Sequence, residues 1–407
     1  MRILVKGKDL KKLVKEKGLP WTKHHLQESF DKKEITPNDF SLRDMFRNMV
    51  EDGGEALDTW ESDRRRGGHV TEAVHAIDTG AVANLIGQLF FNAIQDAMTL
   101  DTFIGDQLCG PFPSNLQGEE KVPGIGSVAD EFANNVTEGE PYPPVGLAEE
   151  YVTIPAAEKK GGIIGVTKEA LIADRTTILL ERMGSLGSGL GIRREKSIID
   201  VAIGAVNPYS YKGEARLTYG DGATAGEAMG FINETGEALV NETDIQVAEN
   251  LYRRMRSTTT TEPLGYQPTV LLVTPALEWQ ARGIIRSTQI REGAVGAAPA
   301  QQQIGPPRMP TWAANLTLLT NEWLRDRLLA AIAAGAGGLT GLDADVIWFL
   351  GTPERAFCWK EIWPLSVEEE PTNSVVQFEQ DVVMRFKGSY KGVAGVREPR
   401  LMIRSAA

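Results

Sequence analysis

Histidines, cysteines and clustered carboxylates are the residue types that most often carry acid–base, nucleophilic or metal chemistry. In this chain they are few and scattered. His24, His25, His69 and His75 all lie in the N-terminal quarter. His24 and His25 are adjacent, and adjacent residues do not share a helix face, so they read as surface residues and not as a metal pair. Cys109 and Cys358 have no short spacing that could form a metal clip or a redox pair. A disulfide between them is compatible with the sequence, but a reduced, cytosolic setting is the simpler reading. Asp343 with Asp345, and the run Glu368-Glu369-Glu370, offer oxygen ligands to a divalent ion; acidic solvated loops are the plainer reading.

Nucleotide and nucleophile motifs are equally incomplete. No G-x-x-x-x-G-K-[ST] loop occurs, which argues against a P-loop site. The run Gly184-Ser185-Leu186-Gly187-Ser188-Gly189-Leu190-Gly191 has a dinucleotide-loop look, but Ile192 stands where the third glycine is needed and a predicted helix precedes it instead of a strand. Gly187-Ser188-Gly189 is too short for a G-x-S-x-G elbow and has no histidine nearby. Basic residues do not alternate with aromatics as in single-strand nucleic-acid binders. The reading is therefore non-enzymatic, with no cofactor, no catalytic residue and no metal site.

The elements that would position any site come next. Residues 1 to about 75 read as a charged, mostly helical region whose start is basic: Lys6, Lys8, Lys11, Lys12, Lys15, Lys17 and Lys23. This fits an arm that meets DNA, an acidic partner or a neighbouring subunit, and equally a solvated helix face. Asp63 to Gly68 reads as a joint leading to a helix over Val70–Met98. That stretch is amphipathic, with Asn84, Gln88, Asn92 and Gln95 interrupting its apolar residues, so it does not span a membrane. The opening residues become charged too soon for a signal peptide.

Cys109 to Pro144 is rich in Gly, Pro and Asn and reads as loops with short strands. Tyr151–Pro155 and Ile163–Val166 read as strands joined by Glu158-Lys159-Lys160-Gly161-Gly162, a β-hairpin with a mobile tip. Thr167 is placed to cap a helix running to about Ile203, with Leu171, Ile178, Leu179, Met183, Ile192, Ile199 and Ile203 buried. Gly184, Gly187, Gly189 and Gly191 each cost about 1 kcal/mol relative to alanine, so a bend or break is expected there. Further on, the pattern predicts a helix over Asp244–Arg256 and a buried strand over Thr269–Thr274. Pro275 then opens a helix through Ile285. Gly293–Pro310 reads as a long loop, with strands at Leu316–Thr320, Val346–Leu350 and Ala356–Trp359. Phe378, Val382, Met384 and Phe386 alternate with Glu379, Asp381, Arg385 and Lys387, a long strand with one wet face.

Composition bounds the rest. A 407-residue chain with 42% hydrophobic and 24% charged residues is long enough for two or more lobes with true cores. Its net charge of −12 argues against wrapping nucleic acid non-specifically and suits solubility at high copy number.

The order of these elements resembles the major capsid proteins of tailed bacteriophages, the HK-ninety-seven-like family. Tyr151 to Ile164 resembles that family's E-loop, and Val166 to Asp174 the start of its spine helix. Pro268 to Ile285 is similar to its A-domain strand and helix, and Phe378 to Phe386 to its closing P-domain strand. The resemblance covers about residues 110 to 407. It implies an α+β fold divided into an N-terminal arm and helices (1–110), P-domain entry loops (111–144), an E-loop hairpin (145–166) and spine helix with P-domain (167–243). An A-domain (244–365) and closing P-domain strands (366–407) complete it.

It further implies self-assembly, as pentamers and hexamers, into an icosahedral head around double-stranded DNA. Scaffold, portal and decoration proteins are implied partners, DNA contact is weak and non-specific, and no membrane is involved. The expected location is the virion, after assembly in the bacterial host cytoplasm. Assembly is expected at the hairpin tip (Glu158, Lys159, Lys160, Gly161, Gly162), at the helix bend (Gly184, Gly187, Gly189, Gly191) and at the basic arm (Lys8, Lys11, Lys12, Lys15). A crosslink from Lys159 or Lys160 to a neighbour's asparagine, as in some relatives, finds no matching acceptor motif. The rival readings are an encapsulin-type nanocompartment shell, an α/β enzyme with a polar pocket, and a tail or portal protein.

Overall fold

The computed structural model describes residues 7–31, 41, 43–44, 47, 58, 91, 93–123, 136, 138, 151–167, 169, 173, 176–220, 231–256, 263–286, 291–292, 303–304, 316–369 and 382–406. Among the described residues, helices α1 (Gly7–Lys17) and α2 (Leu19–Asp31) come first, and after a helical turn at 93–98 a short α3 (Gly105–Leu108) follows. Strands β1 (Gly110–Pro113), β2 (Glu120–Pro123), β3 (Tyr151–Ile154) and β4 (Glu158–Thr167) lead to the long helix α4 (Thr176–Ala202). Next come β5 (Ser210–Tyr211), β6 (Glu214–Ala215), β7 (Glu234–Thr235), α5 (Glu242–Arg253), β8 (Val270–Val273) and α6 (Glu278–Arg286). β9 (Arg291–Glu292), β10 (Gln303–Ile304), β11 (Thr317–Thr320), α7 (Glu322–Ala334) and β12 (Trp348–Gly351) follow. The chain closes with α8 (Pro353–Ala356), β13 (Phe357–Glu369), β14 (Val382–Val396) and β15 (Met402–Ser405).

These elements divide between two compact units. The first comprises Met1–Asp101, Lys159–Arg193 and Trp363–Lys391; the second comprises Thr102–Glu158, Arg194–Ile362 and Gly392–Ala407.

In the first unit β14 lies between β13 and β4. The expected amphipathic strand is present from Val382: Val382 and Phe386 are buried while Arg385 and Lys387 are half-buried. Phe378 to Asp381 lie outside the described residues. The first-unit part of α4 packs on this sheet through glycines. A Cβ on Gly162 would sit 2.6 Å from Leu186 Cδ1, and one on Gly388 would sit 3.3 Å from Leu186 Cδ2. Leu179, Leu180, Met183 and Leu190 are buried, but Ile178, expected in the stripe, is 45% exposed.

Three expectations for this region are corrected. Tyr151–Val166 is not a hairpin: β3 pairs with β2 and β5, whereas β4 pairs with β14. The residues expected at the tip, Glu158 to Gly162, lie inside β4, where glycines admit the neighbouring strand and helix. Thr167 is the last residue of β4, because the β-branched run Ile163, Ile164 and Val166 prolongs the strand, so the long helix does not start there. α4 starts at Thr176 and runs without a break through the glycine run.

The reason is visible at Gly187. A Cβ there would lie 2.3 Å from the Ile94 carbonyl oxygen, so the helix abuts the helical turn at 93–98 more closely than any side chain permits. Gly189 faces open space. The two positions should therefore respond oppositely to alanine in urea denaturation. Gly187→Ala is expected to lose about 1–3 kcal/mol by overpacking, more than the ~1 kcal/mol gained in helix propensity. Gly189→Ala is expected to gain about 0.5–1 kcal/mol.

The second unit is built on a five-stranded sheet of order β11-β8-β12-β15-β7. β8 runs parallel to β11 and antiparallel to β12; β15 is antiparallel to β12 and parallel to β7. Every residue of β8, β12 and β15 is buried, which accounts for the apolar runs of β8 and β12; β15 buries Arg404 and Ser405 as well. α5 packs against β12 and β15, burying Ile245, Ala248 and Tyr252. Asn241 and Asp244 cap it reciprocally, two residues ahead of the expected start. The expected strands at 269–274, 316–320 and 346–350 and the helix after Pro275 are all present, within a residue or two.

α7 was not anticipated in the sequence; Asn321 caps its start and Gly335, at φ 65°, ends it. β15 was expected among closing peripheral strands and belongs instead to this central sheet. A smaller sheet, β2-β3-β5-β6, buries Val122 and Ile154 against Cys358 of β13. β1 runs parallel to β13, with Gly110 opposite Cys358. Within the expected loop Gly293–Pro310, Gln303–Ile304 pairs with Arg291–Glu292, and the other residues lie outside the described set.

Candidate assembly elements

In the first unit, two strands bring separate charges to one aromatic ring on a third. Lys159 Nζ of β4 lies 5.6 Å from the Trp363 ring centroid, and Lys391 Nζ of β14 lies 5.2 Å from it. Both lysines are held by the electron-rich face of the indole. On the same strands Lys387 donates to Glu368, and that hydrogen bond holds the Glu368 carboxyl below its usual range. Ile163 of β4 is 59% exposed in a strand at the end of its sheet. The sequence reading found Lys159, Lys160, Gly161 and Gly162 but missed Trp363 and Lys391, which come from residues over 200 positions downstream.

The basic arm is a helical pair. Gly18, at φ 81°, turns the chain between α1 and α2, and Thr22 Oγ1 donates back to the Gly18 carbonyl at 2.9 Å. Lys12 and Lys15 are exposed on α1; Lys8 and Lys11 belong to the same helix. Lys17 lies over Trp21, which stacks on His25 with ring centroids 4.9 Å apart. His25 thus serves an aromatic stack.

In the second unit the buried charges are engaged in structure. Glu195 of α4 accepts from the backbone N–H of Ile104 at 2.8 Å and of Gly105 at 3.0 Å. Burial nonetheless pushes its carboxyl above the ordinary range. Asp200 takes a two-toothed bond from Arg327, and Glu398 one from Arg400. Lys360, fully buried, donates to the Gly118 carbonyl at 2.8 Å and lies 3.1 Å from Glu120. Ser114's hydroxyl, donating to Glu120, and then Lys360 hold that carboxyl low.

Apart from Glu398 and Arg400, which are two positions apart, each of these charged groups ties together segments far apart in sequence. Cys109 and Cys358 are free and buried; burial pushes both thiols up, Cys358 to about 11, which disarms them as nucleophiles at neutral pH. Among the described residues no three His, Cys, Asp or Glu side chains are grouped to hold a metal ion. Among the same residues no helix is long and apolar enough to cross a membrane.

This unit also presents large apolar side chains outward: Trp279 is 83% exposed, Val240 62% and Ile232 46%. Outward aromatic and aliphatic residues of this kind mark contact surfaces more often than catalytic ones.

The sequence profile of a family described as phage capsid protein matches residues 150–405, which span β3 through β15. The chain belongs to that family. No curated protein matches it in sequence. Among solved structures, one from Mycobacterium phage Ogopogo is 14% identical, with 76% of this chain and 93% of that one covered, at a TM-score of 0.39. The mature capsid of bacteriophage PhiM1 is 13% identical over 76% and 87% of the two chains, TM-score 0.41. A virus-like particle from Pyrococcus furiosus is 11% identical over 78% and 97%, TM-score 0.40.

The mixed α+β architecture expected from the sequence is present, and the family profile makes the chain a phage capsid protein. As a structural protein of that family, it assembles with copies of itself and resides in the virion. In the capsid protein, Lys159 and Lys160 sit on a paired strand and not at a loop tip. Gly187 serves tight packing, Gly189 faces open space, and Gly184 sits beside Ala97, 3.9 Å from where its Cβ would be. Gly191 is buried in the same helix.

Proposed function

We propose that copies of this capsid protein, as pentamers and hexamers, close into an icosahedral shell that encloses double-stranded DNA and performs no catalysis of its own. The family match across β3–β15 is the observation that carries this reading. The charge distribution supports it: at −12 the chain does not condense onto DNA, so DNA contact is weak, and the exposed Lys12 and Lys15 of the arm are its candidates. The strand bearing Lys159, Lys160 and the exposed Ile163 is the first unit's candidate for contact with a neighbouring subunit. The N-arm, spine helix, A-domain and P-domain division belongs to the same proposal, as do scaffold, portal and decoration partners and assembly in the host cytoplasm.

Electron microscopy of the purified protein and of particles from an infected or expressing host tests it. Closed icosahedral particles filled with DNA are expected. Discrete monomers, open tubes or single rings overturn the shell, and closed particles filled with protein cargo in place of DNA overturn the DNA-enclosing role.

A further inference from the structure

The second unit carries an exposed aromatic knob and, at the other end of one strand, a groove that suits it. Trp279 is the second residue of α6. The opposite side of that turn is anchored by Leu277, 8% exposed, and Ala281, fully buried, so the helix is fixed while the indole projects. The Glu278–Arg282 ion pair braces the same turn. Val240 lies alongside, its carbonyl accepting from Gln280 Nε2 at 3.1 Å, and extends the apolar surface.

A groove of about 200 Å³ is lined by Tyr252, Arg253, Met255, Leu264, Tyr266 and Leu401, among others. Two guanidinium groups stand at its rim: Arg253, ion-paired with Glu249, is part of the lining, and Arg355 lies 4.7 Å over the Tyr266 ring. An indole entering there meets apolar walls below and two cations at the edge, which its π-face attracts.

The loop carrying Leu264 and Tyr266 precedes β8, whereas α6 follows it. The length of β8 therefore separates knob from groove, and one copy does not fill its own groove. We infer that Trp279 of one copy seats in the Tyr252–Leu264–Tyr266 groove of the next, a head-to-tail contact between second units. This rests on the shell reading, which supplies the second copy as the occupant.

The size of the patch points the same way. A tryptophan side chain buries about 150–250 Å², well short of the ~800 Å² per partner of a stable pair. Such a contact does not hold two isolated copies together. Because knob and groove are different surfaces, the contact is heterologous and repeats around a ring, where closure makes the small contributions cumulative.

Cysteine pairing tests the geometry with Trp279 intact. Ala276 is exposed one turn before the indole and Gln267 is exposed at the groove, while the native cysteines are buried. Full-length Ala276→Cys and Gln267→Cys chains, co-assembled in equal amounts and oxidised, are expected to give covalent dimers that neither gives alone. The double variant on one chain is expected to give a ladder of linked copies. Adding Trp279→Ala to that background is expected to lower the yield about tenfold or more, as removal of an interface anchor does, with the far-ultraviolet spectrum unchanged.

Absence of mixed dimers in preparations whose parent forms closed particles overturns the contact and leaves the shell reading intact. Dimers from Ala276→Cys alone overturn it in favour of a symmetric contact. Failure of the parent to form closed particles counts against the shell, and mixed dimers in that case uphold the head-to-tail contact.

Discussion

Glu234→Ala will cost the capsid protein about 3–5 kcal/mol of unfolding free energy, the range for stranding one member of a buried ion pair. The cation left behind is Arg404, whose side chain is 1% exposed. Its Nε donates to Glu234 Oε1 at 2.8 Å, and its Nη1 donates to the Gly337 carbonyl at 2.9 Å. The guanidinium lies 5.0 Å over the ring of Tyr219, whose hydroxyl donates to the Ala202 carbonyl. Arg404 itself has almost no access to water, although the Glu234 side chain is 19% exposed.

Nor does the backbone have room to give. A Cβ at Gly337 would come within 2.0 Å of the Gly204 carbonyl, and both glycines adopt positive φ. Beside the ion pair, Asn233 is fully buried, accepts from Gly220 N–H and donates to the carbonyls of Thr218 and Pro399. The Asn233 carbonyl in turn accepts from the Arg404 N–H at 3.0 Å, so β7 is pinned to β15 from two adjacent positions. Chemical denaturation of Glu234→Ala, Arg404→Leu and the double variant forms the check. The double variant is expected to recover most of the loss, because removing both charges removes the stranded cation. Additive losses would show that the pair is not energetically coupled.

The second large effect is expected at Glu195. Its two oxygens accept three N–H donors: Ile104 and Asn321 Nδ2 at Oε1, and Gly105 at Oε2. Asn321 simultaneously caps α7, accepting from Trp323 N–H, and donates to the Thr102 carbonyl. One carboxylate therefore joins α4, the chain entering α3 and the start of α7. Gln is nearly the same shape but must turn an NH₂ toward one of three donors, leaving a buried N–H unmet. Glu195→Gln is expected to lose about 1–3 kcal/mol. Glu119→Gln, at an exposed position, should stay within about 0.5 kcal/mol of the parent. A Glu195→Gln variant as stable as its parent would mean that the three donors find other acceptors.

Local chemistry made much of the second unit legible in advance. The run Val270–Val273 reads as a buried strand because every side chain is apolar and β-branched or leucine, and Pro275 marks the following helix start through its missing N–H. The alternation from Val382 to Lys387 shows one wet face because strand side chains alternate. These signals lie within a few residues of one another. α7 escaped notice because Glu322–Ala334 carries alanines almost all round, so no stripe stands out; its buried residues Leu324, Leu328 and Ala331 are defined by what packs on them.

The error at Tyr151–Val166 has a different cause. Two β-like stretches joined by a charged, glycine-ended turn meet every local criterion for a hairpin. Pairing is a choice among all strands in the molecule, and here β14, over 200 residues later, competes successfully for β4. The glycines at 161 and 162 are then explained by the approach of Ser389 and Leu186, and no turn is needed.

The incomplete nucleotide and nucleophile motifs and the acidic balance were properties of the sequence by itself; the order of elements carried the resemblance to capsid proteins, and the family profile over residues 150–405 shows the family. Tertiary structure alone decided which strands pair, that α4 passes unbroken through its glycines, that Glu195 and Arg404 clamp distant segments, and that Trp279 faces outward. Composition and local periodicity constrain neighbours along the chain; contacts between residues a hundred or more positions apart depend on the folded packing that brings them together.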